Sequence, residues 1–399
     1  MSANGPPATY AVDGLTPSSV IEPSSIDKLS AVLRDANDRG AAVIPWGAGR
    51  HMSLGNIPAR YDIALRTAKL DRVIEYEPAD MTISVEAGIT IGALQSHLAA
   101  HGQFLPIDAP AGATVGGVLA AGVSGPSRHA YGLPRDWLIG CRIVLADGTI
   151  VKGGGRVVKN VAGYDIPKLV VGSLGTLGVI AEATFKLAPL PAQQETLLVR
   201  CETLDEAARL VFAADERSLA LRAVAITRVV GEVFKPPATA LSETTAAFWL
   251  SGAATAVERT RREIEELAGS EVERTDDSSW MPLAPSADSV TLQASVLPSN
   301  VSALCEMLRA QAQYVVAYPT TGMVIANVDD AGDIAPFIED MRRYVATTGG
   351  SLIVTCAPVA LKQRIDVWGA VDALAVMLAL KHQFDPNSTL SAGRYVGGI

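Results

Sequence analysis

The residues of this chain best suited to hold a ligand lie in three glycine-rich stretches. The first runs Pro45, Trp46, Gly47, Ala48, Gly49, Arg50, His51, Met52, Ser53, Leu54, Gly55. Successive backbone N–H groups in such a loop can converge into a nest for a phosphate oxygen; a plain tight turn after a strand is the competing reading. The glycine spacing, with Met52 where a third glycine would stand, does not match the Rossmann dinucleotide fingerprint. The loop also lacks the Gly-Lys-Ser/Thr of a P-loop.

The second stretch extends from Asp108 to Gly125 and is mostly Gly, Ala, Thr, Ser and Pro. Small residues there let backbone approach something flat or extended, and Thr114 and Ser124 add hydroxyls. The third comprises Lys159 to Asp165, then Gly172 to Ile180 with glycines at 172, 175 and 178.

Five histidines are the next candidates. His97 and His101 stand four apart, on one face of an expected helix. That spacing suits a metal, but no Glu or third His accompanies them, so an exposed polar face is the favoured reading and no metal is expected. His129 reads as a loop residue, and His382 sits in the closing helix. Between Arg142 and Lys381 there is no histidine at all. A site that takes a hydroxyl proton from a 2-hydroxy acid ordinarily uses a His base or a metal. Independent substrate oxidation is therefore weakly supported.

These stretches are carried by alternating elements. Residues 1–22 read as a loose segment. Ser24 and Ser25 can cap a helix with Ile26, Leu29, Val32 and Leu33 on its apolar face, stopping at Gly40. Strands are expected over 41–45, 62–66, 73–77, 82–86, 142–146, 168–171 and 179–187, with a helix over 91–101. A boundary falls at Pro189–Pro191. Beyond it, strands and helices alternate with short turns to about residue 356, which favours an antiparallel sheet. Residues 362–384 are expected to form a closing helix, with the tail after it folding back. The expected domains are 23–190, 191–361 and 362–399, in an α+β chain.

Composition excludes several classes. The chain has 399 residues, 49% of them apolar, and a formal charge of −9. It can bury a large core, and it has no lysine and arginine surplus for general nucleic-acid binding. The four cysteines are scattered with no C-x-x-C pair, which disfavours an iron–sulfur cluster or structural zinc in this chain. No secretory signal or membrane span is expected, and a cytoplasmic location follows.

Taken in order, the three stretches resemble the two-subdomain FAD-binding fold of the vanillyl-alcohol oxidase (PCMH-type) flavoproteins. Two phrases, GVSGPSRHAYGLPRDWLIGCRIVLADG and GGRVVKNVAGYDIPKLVVGSLGTLGVIAEATFKLAPLP, are similar to the E subunits of bacterial glycolate oxidase (glycolate dehydrogenase). The closing FDPNSTLSAGR also resembles that group, with Ser391-Ala392 in place of Asn-Pro. The resemblance implies a PCMH-type FAD-binding domain followed by an α+β cap with a largely antiparallel sheet. It implies that the first loop and the TVGG…SG loop hold the FAD pyrophosphate and that GSLGTLGVI lines the adenosine. The implied cofactor contacts are Pro45, Trp46, Gly47, Ala48, Gly49, Arg50, His51 and Ser53. To these it adds Pro110, Thr114, Gly116, Gly117, Ala120, Ser124, Gly125, Asp136, Gly178, Val179 and Ile180. Some members bind flavin covalently through a first-loop His, but the register of Arg50-His51 does not match, so non-covalent FAD is expected.

By the same resemblance, the chain is expected to be the FAD-binding subunit of a glycolate oxidase complex. Its partners would be a catalytic FAD subunit and an iron–sulfur subunit. Glycolate would become glyoxylate, and membrane contact at the inner face of the plasma membrane would be peripheral, through the complex. A stand-alone FAD oxidoreductase on another alcohol or 2-hydroxy acid, or a non-catalytic flavin-binding assembly subunit, are the alternatives. No catalytic residue stands out; His382 and Arg394 are the candidates to meet a substrate near the flavin, Arg394 through its two-donor fork.

Overall fold

The computed structural model describes residues 6–155, 164–229, 244–275, 289–329 and 333–399. The Lys159 to Gly163 part of the third glycine stretch lies outside them. The chain forms two compact units: residues 1–124, 133–190 and 366–399 make the first, and 125–132 with 191–365 make the second.

The first unit contains two subdomains. In one, β1 (Ser19–Ile21), β3 (Ile63–Arg66) and β2 (Val43–Trp46) form a parallel sheet in the order β1-β3-β2. Helix α1 (Ile26–Asp38) covers it; Ser25 caps the helix by accepting the Lys28 N–H at 3.3 Å. Leu29, Leu33 and Ala36 recur at helical spacing and bury against Val43, Ile63 and Leu65. Each such leucine contributes about 1.5–3 kcal/mol through removal from water.

The other subdomain has β4 (Val73–Glu77), β5 (Thr82–Glu86), β7 (Leu138–Val144), β8 (Ile150–Gly154) and β9 (Val179–Lys186). They form an antiparallel sheet in the order β4-β5-β9-β7-β8. A small pair, β6 (Gln103–Phe104) with β10 (Ala188–Pro189), sits apart from it. Helices α2 (Ile91–Ala99) and α3 (Val115–Ala121) bury Leu94, Leu98, Val118 and Leu119 in one core with Ile83, Val85 and Phe185.

The second unit is one eight-stranded antiparallel sheet. Its strands are β11 (Gln193–Cys201), β12 (Leu221–Val229), β13 (Thr244–Gly252), β14 (Val272–Thr275), β15 (Ser289–Ser295), β16 (Ala312–Tyr318), β17 (Met323–Asp329) and β18 (Ser351–Cys356). They are ordered β14-β11-β13-β12-β16-β17-β15-β18. Helices Leu204–Asp215, Ala254–Ala268, Val301–Leu308 and Ala335–Thr347 each bury an apolar stripe. The α+β class and the antiparallel sheet are as the sequence indicates.

Four local expectations are corrected. Residues 7–21 are not loose: Tyr10 and Val12 are buried with Ile44, Trp46 and Tyr61, and β1 pairs with β3. Residues 168–171, expected as a strand, lie in and at the end of the helix Ile166–Val170, because Asp165 caps the Lys168 N–H and Pro167 occupies the first turn. Strand β8 was not expected. The closing helix over 362–384 is two helices, Val359–Lys362 and Leu374–Phe384. Between them Asp366 accepts the Trp368 N–H and Gly369 takes φ +71°, a turn that helical backbone cannot continue through. Among the described residues, no helix is long and apolar enough to cross a membrane.

Candidate functional site

Within the first unit an open cleft is lined by three chain segments: Pro45–Met52, Ala113–Ala121 in part, and Leu174–Ile180 in part. Thr67 and Arg394 complete it. Strand β2 delivers the first segment. It ends at Trp46, whose indole donates to Tyr61 Oη at 2.7 Å, and Tyr61 in turn donates to the Tyr10 carbonyl at 2.9 Å. This chain of bonds fixes the root of the loop.

Two glycines in that loop have identifiable steric reasons. Gly49 has φ +73°, and a Cβ there would stand 2.8 Å from the Trp46 ring. A Cβ on Gly47 would stand 1.9 Å from Thr114 Oγ1. Among the described residues, the backbone N–H groups of Gly47, Ala48, Gly49, Arg50 and His51 donate no hydrogen bond to the protein. Donors without partners are uncommon once they are withdrawn from water, and a run of them along a cleft is what an oxyanion requires. Arg50 adds an exposed cation that, among the described residues, pairs with no carboxylate. Burial lowers the His51 pKa from the ordinary histidine value, so the ring is neutral near pH 7.

The second segment differs from expectation in how its donors are used. At the start of α3, Val115 donates to the Ile89 carbonyl at 2.9 Å and Gly116 to the Ala87 carbonyl at 2.7 Å. Thr114 caps the helix by accepting the Gly117 N–H at 3.3 Å. These N–H groups are already committed; Gly117 leaves space at the cleft by lacking a side chain, and Gly116 lets α3 pack closely on buried Ala87. A Cβ on Gly116 would meet Ala87 Cβ at 2.9 Å.

The expected residues Pro45, Trp46, Gly47, Ala48, Gly49, Arg50, His51, Thr114, Gly116, Gly117, Ala120, Gly178, Val179 and Ile180 all line the cleft. The other expected contacts are absent from its lining. Ser53 is exposed beyond the loop, and Pro110 is exposed in the turn before α3. Ser124 carries a buried hydroxyl that has no partner among the described residues, and Gly125 belongs to the second unit. Asp136 caps the short helix Pro134–Trp137 by accepting the Leu133 N–H at 2.8 Å. Met52, Thr67, Ala113, Ala121, Leu174 and Gly175 line the cleft without having been expected. Leu174 and Gly175 lie inside the GSLGTLGVI phrase, which was the available signal.

The two catalytic candidates part company. His382 is exposed and does not line the cleft. Arg394 does line it and is 3% exposed, not a surface residue of the tail. Its Nη2 donates to the carbonyls of Met52 at 2.8 Å and Leu54 at 2.6 Å. Among the described residues, its buried Nε has no partner. Nη2 belongs to both two-donor edges of a guanidinium, so as placed Arg394 offers no free fork to a carboxylate. Burial lowers its pKa to about 10.

His97 and His101 pack around Tyr76, with ring centroids 5.3 and 5.0 Å from it, as an aromatic cluster. His129 lies in the second unit, bonded to Thr320 Oγ1 at 2.8 Å. Among the described residues, no group of three His, Cys, Asp or Glu side chains could hold a metal ion.

Residues 17–154 match a family model described as an FAD binding domain. Over 197 residues, 49% of this chain, it is 34% identical to the glycolate oxidase subunit GlcD of Bacillus subtilis (strain 168), covering 42% of that protein. Over 209 residues, 52% of the chain, it is 31% identical to a D-2-hydroxyglutarate dehydrogenase of Xanthomonas citri pv. viticola, covering 44%. Over 201 residues, 50% of the chain, it is 33% identical to a D-lactate dehydrogenase of Archaeoglobus fulgidus, covering 45%. The matched segments thus span less than half of each relative's own length. An alkyldihydroxyacetonephosphate synthase structure superposes with a TM-score of 0.69 at 16% identity, over 94% of this chain and 76% of that one. A diphosphate held in an acidic chain needs backbone donors rather than a basic field, and the uncommitted Gly47–His51 run fits that need. The chain has the PCMH-type FAD-binding fold, residues 17–154 carry its FAD binding domain, and FAD is its cofactor.

Proposed function

We propose that this chain is an FAD-dependent oxidoreductase component acting on small 2-hydroxy acids, glycolate first, as the FAD-binding subunit of a glycolate oxidase complex. The observation that carries the reading is the cleft with its run of uncommitted N–H donors at Gly47–His51. Bound FAD supplies the two-electron redox chemistry that turns a 2-hydroxy acid into a 2-oxo acid. The loop donors and the Arg50 cation hold the diphosphate, and Gly116, Gly117 and Ala120 let the dinucleotide lie close to backbone. The flavin is held non-covalently, His51 serving as part of the loop wall.

The substrate class is supported by the proteins it resembles, a glycolate oxidase subunit and D-lactate and D-2-hydroxyglutarate dehydrogenases. Two features support dependence on a catalytic FAD subunit and an iron–sulfur subunit. The chain from Arg142 to Lys381 contains no histidine. Its four cysteines are all buried and dispersed, with burial pushing the Cys141 and Cys305 thiols up to about 12, far from the thiolates that clusters need. In this proposal contact with the membrane is peripheral and made through the complex.

The test is anaerobic mixing of the isolated chain and of the co-purified complex with glycolate, D-lactate and D-2-hydroxyglutarate, following the flavin's visible absorbance. Bleaching by glycolate in the complex and silence in the isolated chain is the expected result. Rapid bleaching of the isolated chain makes it a stand-alone enzyme. A colourless chain that cannot be reconstituted with FAD leaves only an assembly role.

A further inference from the structure

Lys381, in the helix Leu374–Phe384, and Asp385, just past its end, form an ion pair of 2.6 Å with 6% and 1% exposure. The ammonium has three donors, and all three are used: on Asp385 Oδ2, on the Thr176 carbonyl at 2.9 Å and on the Leu390 carbonyl at 2.9 Å. Asp385 is equally occupied, accepting the N–H groups of Thr389 at 2.9 Å and Leu390 at 2.7 Å. A lysine with every proton committed is a strut, not a base.

The strut joins two walls of the cleft. Thr176 lies between Gly175 and Gly178, both of which line it. Leu390 lies in the tail that runs alongside β2: Val43 donates to the Thr389 carbonyl at 2.7 Å and Ser391 to the Val43 carbonyl at 2.9 Å. Strand β2 in turn delivers the Gly47–His51 loop. Ser391 Oγ adds a second tie, donating to the Leu174 carbonyl at 3.0 Å. The sequence shows nothing of this, because Lys381 and Thr176 are 205 residues apart.

We infer that Lys381 is a positioning residue that sets the separation between the loop wall and the 174–178 wall of the flavin cleft. The inference rests on the reading that FAD occupies this cleft. Lys381→Met strands the Asp385 carboxylate in the interior and releases the Thr176 and Leu390 carbonyls, so both walls lose their common anchor. Asp385→Asn removes the charge and turns its NH2 toward one of the two backbone donors that Asp385 accepts, but leaves Lys381 its two carbonyl partners, a milder disturbance of the strut between the walls.

The experiment strips flavin from the full chain and titrates FAD back, read by quenching of flavin fluorescence. Thermal midpoints are recorded with and without FAD. Lys381→Met is expected to raise the FAD dissociation constant by roughly 5–150-fold, the usual span of coupling between separate sites. Asp385→Asn raises it less, and in both variants the increase in midpoint that FAD confers shrinks. A merely structural pair would lower the midpoint equally with and without FAD and leave the dissociation constant unchanged. That result in Lys381→Met, or in Asp385→Asn should the first variant not fold, overturns the inference. Gly117→Val serves as the separate control of the site, because its side chain enters the cleft wall. If that variant keeps normal FAD affinity, the cleft itself has been misplaced, whatever Lys381 does.

Discussion

Thr114 Oγ1 occupies the place where a Gly47 side chain would begin, 1.9 Å from an ideal Cβ. The same oxygen accepts the Gly117 N–H, so one hydroxyl both caps α3 and sets how closely the first loop packs on it. Gly47→Ala must displace the loop or break the cap, which is worth about 1 kcal/mol. Purified Gly47→Ala protein should carry at least about ten-fold less FAD than wild type, a loss of roughly 1.4 kcal/mol or more. Thr114→Ala in the same chain should restore part of it. Normal flavin content in Gly47→Ala, measured by absorbance per chain, would show that this contact does not shape the FAD site.

Arg50 gives a graded test of the charge at the cleft. An exposed charge-assisted contact to a phosphate contributes about 1.5–3 kcal/mol at most, and salt screens it. Arg50→Ala should weaken FAD binding by roughly ten-fold at low ionic strength. It should also flatten the salt dependence of the dissociation constant, with Arg50→Lys intermediate. An unchanged salt slope argues that Arg50 faces away from the diphosphate.

Stability should fall in acid through two histidines. Burial lowers the pKa of His51, and of His129 against a smaller opposing effect of Asp215. Below the unfolded histidine value of about 6.5, the unfolded chain binds more protons than the folded one, so unfolding becomes easier as pH falls. The contribution is complete above that value and is lost as pH drops through it toward the lower folded values. His51→Gln should flatten the acid limb of the stability profile in FAD-free protein, measured by urea unfolding between pH 5 and 7.5. An unchanged limb in that variant would assign the acid sensitivity elsewhere.

Arg394→Met separates a scaffold from a substrate ligand. The variant releases the Met52 and Leu54 carbonyls, which costs about 1–3 kcal/mol where those groups stay buried. Thermal midpoint and flavin content should both fall. In the complex proposed above, KM for glycolate, the proposed substrate, should stay within a few-fold of wild type per flavin-loaded molecule. A large KM increase at full flavin occupancy would instead show that the guanidinium meets the substrate carboxylate.

Much of the fold is legible before any packing is known, for local reasons. Val73–Glu77 and Thr82–Glu86 match the expected strands because β-branched residues and a Pro-Ala-Asp turn specify a hairpin within one short segment. The Ser25 cap of α1 is equally local. The glycines at 47, 49, 116 and 117 announce close approach of backbone, and all four do line one cleft.

What the sequence by itself determined is therefore most of the helices and strands, though not β8, the helix Ile166–Val170 or the break in the closing helix, together with the antiparallel second sheet and the glycine loops that suit a dinucleotide. The tertiary structure alone decided which donors remain available. Gly116 loses its N–H to Ala87, 29 positions earlier, whereas the Gly47–His51 run keeps its own, and no local pattern distinguishes the two. It also decided the phase of the last helix, burying Lys381 and exposing its neighbour His382. The Leu374–Phe384 helix is apolar on nearly every side, so periodicity gives no preferred face. Its orientation is fixed by the distant carbonyl of Thr176 and by the carboxylate of Asp385, which together give a buried ammonium the partners that water would otherwise supply.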